Sequence, residues 1–257
     1  MNNLALSKTQ YTLIFNNAAQ LPTFIGNTIR GALGQSLYDN NRSVYDAVFK
    51  TSPETSIPNP FAISAPYPCK NTYNRGDELA FFITLFGVAC EYDDVVSDAV
   101  RLMCKGKLLS AELLETDSIY SCDWSDSGAE SIERCDKITL DFVSPTELLG
   151  CKKPVFEPDF STFIDSLFGR ILDICDNYGK SEFIIPYSMI ARKPQVTAEY
   201  DLKRVQINSN KNPINGFVGK VIYFGDVTRY LPYIDLGSQI HIGKKTTRSC
   251  GEYSFEI

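Results

Sequence analysis

The chain has one histidine, His241, one tryptophan and three methionines in 257 residues. A lone imidazole excludes histidine-rich metal centres and any reaction that needs a histidine pair. None of the eight cysteines (69, 90, 104, 122, 135, 151, 175 and 250) forms a Cys-x-x-Cys step. A zinc site needs about four convergent ligands at familiar spacings, so no metal is expected. No stretch of eighteen apolar residues occurs, so no membrane-spanning helix is expected. The opening MNNLALSKTQ lacks the basic-then-apolar layout of a secretory leader, and a cytoplasmic protein with reduced thiols is the expectation. The GxxxxGK[ST] order of a nucleotide-binding loop is missing too, and no cofactor is expected.

What is present is unevenly distributed charge. The net charge is −6. Yet residues 192–248 hold ten Lys/Arg (192, 193, 203, 204, 211, 220, 229, 244, 245, 248) against four acids (199, 201, 226, 235). A basic face on an acidic body can bind a polyanion while repelling it elsewhere. Arg192, Lys193, Lys203, Arg204 and Lys220 are therefore candidate RNA-binding residues. On an extended strand Arg204 and Gln206 share a face, with Lys203 opposite.

The basic stretch ends in Gly243-Lys-Lys-Thr-Thr-Arg-Ser-Cys-Gly251. Glycines stand at both ends, with three cations and three hydroxyls between them. Backbone N–H groups freed by Gly243 and Gly251, with Lys245, Thr246, Thr247, Arg248 and Ser249 as side-chain donors, would make a phosphate cradle. A charged surface turn is the plainer reading of the same residues.

Taken in order, Tyr11–Phe15 predicts a strand. Phe24–Leu37 predicts a helix whose glycines (26, 31, 34) require something to approach closely. Val44–Phe49 predicts a helical turn, Glu78–Gly87 a strand, Tyr92–Met103 a helix and Ala111–Ser121 a strand. The polar stretch 122–136 reads as a linker. Lys137–Val143 predicts a strand ending before Pro145, and Asp159–Tyr178 a helix closed by Gly179. Thr197–Ser209 and Phe217–Phe224 predict a hairpin, Val227–Ile240 a helix capped by Asp226, and Glu252–Ile257 a last strand. The second half is thus β-α-β-β-α-β, and the first half matches if a strand lies near Phe61–Pro66. The expected fold is α+β: two tandem ferredoxin-like (RRM-like, βαββαβ) domains, 1–121 and 137–257, joined by 122–136, with a C-terminal glycine-rich-type loop.

The stretches Ile214–Val227, Tyr230–Lys244 and Cys250-Gly-Glu-Tyr253, with Arg30-Gly-Ala-Leu-Gly34 earlier, resemble the CRISPR repeat-processing endoribonucleases of the RAMP superfamily. Leu21-Pro22, Gly26, Tyr45–Phe49, Pro58–Phe61 and Gly76–Gly87 resemble that family's other landmarks, so the likeness extends over most of the chain. Relatives commonly carry glycine where Lys245 and Ser249 stand, and often a basic residue at Glu252. The backbone here would be stiffer and the phosphate site more dependent on side chains.

The resemblance implies metal-independent cleavage of repeat RNA. The ribose 2′-hydroxyl attacks the adjacent phosphorus, leaving a 2′,3′-cyclic phosphate and a 5′-hydroxyl. That step needs a base, a cation for the developing charge and an acid for the leaving oxygen. His241 is the only imidazole available, and Lys244 is the neighbouring cation. Several relatives use a histidine in the first domain's helix region; this chain has none there, which leaves Tyr38, Tyr45 and Lys50, with Arg30 holding a phosphate. The partners implied are CRISPR repeat RNA or its mature guide and other effector subunits. The rival readings are a catalytically inactive guide-binding subunit and a protein-interaction domain without an RNA role.

Overall fold

The computed structural model describes residues 2–49, 57–104, 111–125, 133–150, 152–191, 194–208 and 213–257. The chain divides into two units. One comprises Ala5–Asp123 with Thr247–Ser249; the other comprises Met1–Leu4, Trp124–Thr246 and Cys250–Ile257.

The N-terminal sheet holds β1 (Asn3–Phe15), β2 (Phe61–Ser64), β3 (Glu78–Phe86) and β4 (Ala111–Ser125), in the order β2-β3-β1-β4. The strand expected near Phe61 is therefore present, and it pairs antiparallel with β3 (Ile63 opposite Ile83). Helix α1 (Gly26–Asn40) follows β1, then the short α2 (Arg42–Val48), and α3 (Asp93–Cys104) precedes β4. Every third or fourth residue of α1 (Ile29, Leu33, Leu37) is buried with Tyr11, Leu13, Phe15 and Phe81. Burying each such side chain stabilises by about 2 kcal/mol, and Leu33→Ala would cost about 2–5 kcal/mol. Asn41 breaks α1 from α2, its side chain accepting the Val44 N–H at 3.2 Å.

The C-terminal unit repeats the order. Its sheet runs β6-β7-β5-β8, from β5 (Lys137–Thr146), β6 (Thr197–Ile207), β7 (Ile214–Phe224) and β8 (Tyr253–Glu256). Helix α4 (Phe160–Tyr178) follows β5, α5 (Tyr187–Ala191) is one short turn, and α6 (Leu231–Ile240) follows β7. Asp159 caps α4 by accepting the Thr162 N–H at 2.7 Å. The core is aromatic: Phe142 meets Phe163, Phe217 and Tyr253, while Phe160 meets Tyr223 and Tyr230. Both units thus have the ferredoxin-like βαββαβ order expected from the sequence, and the fold is α+β. Among the described residues no helix is long and apolar enough to cross a membrane.

Local departures have physical reasons. Strand β5 continues through Pro145 because the register with β7 shifts there: Thr146 lies opposite Phe217 but Phe142 opposite Gly219. A proline without an N–H is tolerated at such a bulge. Cys122–Ser125, read as linker, extend β4. Asp226 closes a single turn, accepting from the Thr228 N–H and hydroxyl, ahead of α6 rather than at its first residue.

Candidate functional site

In the N-terminal unit, Arg30, Gly31, Gly34, Gln35 and Tyr38 line one side of α1 at spacings of one, three and four residues. With Tyr45 of α2 and Phe49 after it they line an open pocket of about 340 Å³. Tyr38 meets Tyr45 edge-on (ring centroids 5.2 Å, 88°), and Tyr45 stacks on Phe49 (5.6 Å, 10°). The Arg42 guanidinium lies 4.1 Å from the Tyr38 ring centroid. Hydrogen bonding to Tyr38, ahead of Asp46, is the main influence holding Arg42 above the ordinary arginine range.

Arg30 is half-buried. Its Nε donates to the Thr247 hydroxyl at 3.1 Å, and its guanidinium lies 5.2 Å from the Phe49 ring centroid. Burial, then the nearby Arg248 charge, pulls Arg30 below the ordinary arginine range, with Tyr45 acting in the opposite sense. No carboxylate is among the groups that shift it. The closeness of a second cation favours an anion beside Arg30. The closeness needs small residues: a Cβ on Gly26 would run into the Arg248 carbonyl oxygen, and one on Gly34 would lie 2.9 Å from the Phe49 ring.

In the C-terminal unit His241 is 1% exposed, and its Nδ1 lies 3.1 Å from the Cys250 carbonyl oxygen. This geometry braces the chain entering the loop and does not present the imidazole to a ligand in solution, contrary to the proton-transfer role expected of it. Lys245 is also turned inward. Its ammonium pairs with Glu147 at 2.7 Å and donates to the Pro213 carbonyl at 2.8 Å. The Thr246 hydroxyl is buried and accepts from Arg170 at 2.8 Å. Gly243 and Gly251 take positive φ (75° and 77°) because backbone packs against them: Glu147 at the first, Ile242 at the second. The Lys244 and Gly251 N–H groups donate to the Glu147 and Pro145 carbonyls, so neither is offered to a phosphate. The cradle expected from the loop backbone is to that extent replaced by internal packing.

Within the N-terminal unit, the Ser249 hydroxyl accepts the Ala65 N–H at 2.9 Å. Lys245 and Ser249 sit at φ 64° and 61°. Both take the left-handed backbone that glycine adopts without strain.

Lys244 is exposed. On β6, Lys203, Arg204 and Gln206 are exposed; Arg204 and Gln206 share a face by alternation, and Arg204 lies 4.4 Å from the Phe156 ring centroid. Lys220 stands opposite Asp201 and Asp141 across the strands, 3.6 Å from the Asp141 carboxylate, which offsets its charge. Lys50, Arg192 and Lys193 lie outside the described residues. Gln35 and Arg42 went unremarked in the sequence. The Arg30-Gly34-Tyr38 spacing pointed to that helix face, but α2 brings Arg42 to Tyr38 only after a break at Asn41.

Residues 140–253 match the family model of the CRISPR-associated endoribonuclease Cas6, and residues 4–112 match a family model described as an N-terminal domain. Similar solved structures include Thermus thermophilus Cas6 (14% identity, TM-score 0.65, all of both chains covered). A Cas6 product complex aligns over 98% of this chain and 100% of the other (14% identity, TM-score 0.67). A partial Cas6-RT-Cas1–Cas2 complex aligns over 98% of this chain and 46% of the other (10% identity, TM-score 0.71). At these identities the likeness shows the fold. A comparison with curated proteins gives no match.

Proposed function

We propose that the chain, whose residues 140–253 match the family model of the CRISPR-associated endoribonuclease Cas6, processes CRISPR repeat RNA at the α1–α2 pocket. The observation that carries this reading is the Arg30 guanidinium, held by the Thr247 hydroxyl in the pocket that Tyr38 also lines. The cleaved phosphate lies against this guanidinium, which takes up the charge of the phosphorane. The 2′-oxygen bonds to phosphorus and loses its proton to solvent. The bond from phosphorus to the 5′-oxygen breaks, and Tyr38 gives that oxygen a proton. Arg42, over the Tyr38 ring, balances the charge left on the phenol. The products are a 2′,3′-cyclic phosphate and a 5′-hydroxyl. Tyr45 holds Tyr38 in place, and Lys244, Lys203, Arg204 and Gln206 take phosphates along the RNA, as would Lys50, Arg192 and Lys193. No metal takes part in these steps.

The partners follow from the same family. Similar structures include a Cas6 product complex and a Cas6-RT-Cas1–Cas2 complex, and by analogy this chain takes repeat RNA and other CRISPR proteins. Labelled repeat RNA incubated with the protein in EDTA tests the cleavage. A discrete product with a cyclic phosphate end supports it. Salt-sensitive binding without cutting supports instead a guide-binding subunit, a reading favoured by the burial of the only histidine.

A further inference from the structure

Two of the three glycines inside α1 are accounted for by what packs on them; Gly31 is not. A Cβ there would meet no heavy atom within 4 Å, and glycine weakens a helix interior relative to alanine. Gly31 is exposed and lines the α1–α2 pocket. Resting on the function proposed above, we propose that this pocket holds one nucleobase, that of a nucleotide flanking the cleaved phosphate, and prefers a base with an exocyclic amino group.

The pocket has the parts such recognition needs. The pocket is open to solvent and, at about 340 Å³, has room for a planar base laid against its walls. Tyr38 and Tyr45 supply aromatic surface, and single-stranded RNA is recognised by stacking bases on such rings. Arg30, adjacent to Gly31, places the phosphate at the rim. Gln35 supplies the polar reader. Its amide nitrogen donates to both Asp39 oxygens, at 2.8 and 2.9 Å, which leaves its carbonyl oxygen to accept. That oxygen pairs with the amino group of adenine, cytosine or guanine and has no donor to meet on the corresponding position of uracil. A side chain at position 31 would occupy the space above the helix that the base needs.

The test uses the full chain and repeat RNA carrying an abasic site, or uridine, at each nucleotide flanking the cut. At one of the two positions both changes should slow cleavage by the unmodified protein at least tenfold. Gly31→Leu should cleave the normal and abasic RNAs at the same reduced rate, and Gln35→Leu should lose discrimination against uridine. Gly31→Ala, with a Tm equal to or above that of the parent, shows that the helix tolerates a side chain there. Abasic RNAs cut at the normal rate, or Gly31→Leu cutting normally, overturn the base pocket and leave the cleavage proposal standing. If the protein cuts no RNA, that proposal fails, and the same RNAs are compared by Kd. A tenfold weaker Kd for the abasic form, absent in Gly31→Leu, still supports the pocket, and equal Kd values overturn it.

Discussion

Arg30 donates through Nε to the Thr247 hydroxyl at 3.1 Å, which joins the fifth residue of α1 to the loop 217 positions later in the chain. The bond orients the guanidinium beside Phe49 and Arg248. Arg30→Ala should weaken binding of repeat RNA by about 10–100-fold, the worth of a charged hydrogen bond. The slope of log K against log salt should fall by about 1. Arg30→Lys should not restore affinity, since an ammonium cannot keep the Thr247 bond and offer a planar fork. Filter binding at several salt concentrations checks each point.

Tyr38→Phe should slow cleavage by about 100-fold or more, with Tm unchanged, if the phenol supplies the leaving-group proton. His241→Asn should do the reverse. It should lower stability by about 1–3 kcal/mol, through the contact with the Cys250 carbonyl, and leave the rate of the folded protein alone. The pH–rate profile should show no inflection near about 6.5, where a free imidazole titrates. Single-turnover kinetics between pH 5 and 9 separate the two residues.

Lys245→Met should cost about 3 kcal/mol by urea unfolding. It leaves the Glu147 carboxylate, whose side chain is 10% exposed, without its ammonium partner. RNA affinity measured on folded protein should change little, because Lys245 faces Glu147. A large loss of affinity at unchanged stability would return this lysine to the RNA-binding set.

Asp235 of α6 is pushed above the usual carboxylate range by burial, with a hydrogen bond from Trp124 acting against the shift. A carboxyl with a raised folded pKa favours its protonated form in the native state. Stability from this group is therefore present at low pH and is lost as pH rises from the unfolded pKa through the folded one. Asp235→Asn should raise the urea midpoint at pH 7 and leave it nearly unchanged at pH 3.

The sequence alone determined the fold class. Apolar periodicity in α4, strand alternation in β7 and the capping signals at Asp159 and Gly179 depend only on near neighbours, so they are readable along the chain. Even the short β2 was anticipated, from the gap it filled in the βαββαβ order. The site was legible only in part. Arg30, Tyr38 and Tyr45 were named, but nothing local tied them to Thr247 or Arg248. Tertiary structure decided which charges face inward. Glu147 and Lys245 lie 98 positions apart, and a linear reading counts that lysine as free for phosphate. It likewise counts the only histidine as available, when the fold buries it with Nδ1 at the Cys250 carbonyl. Burial and pairing depend on distance in space, and that distance exists only once the chain is folded.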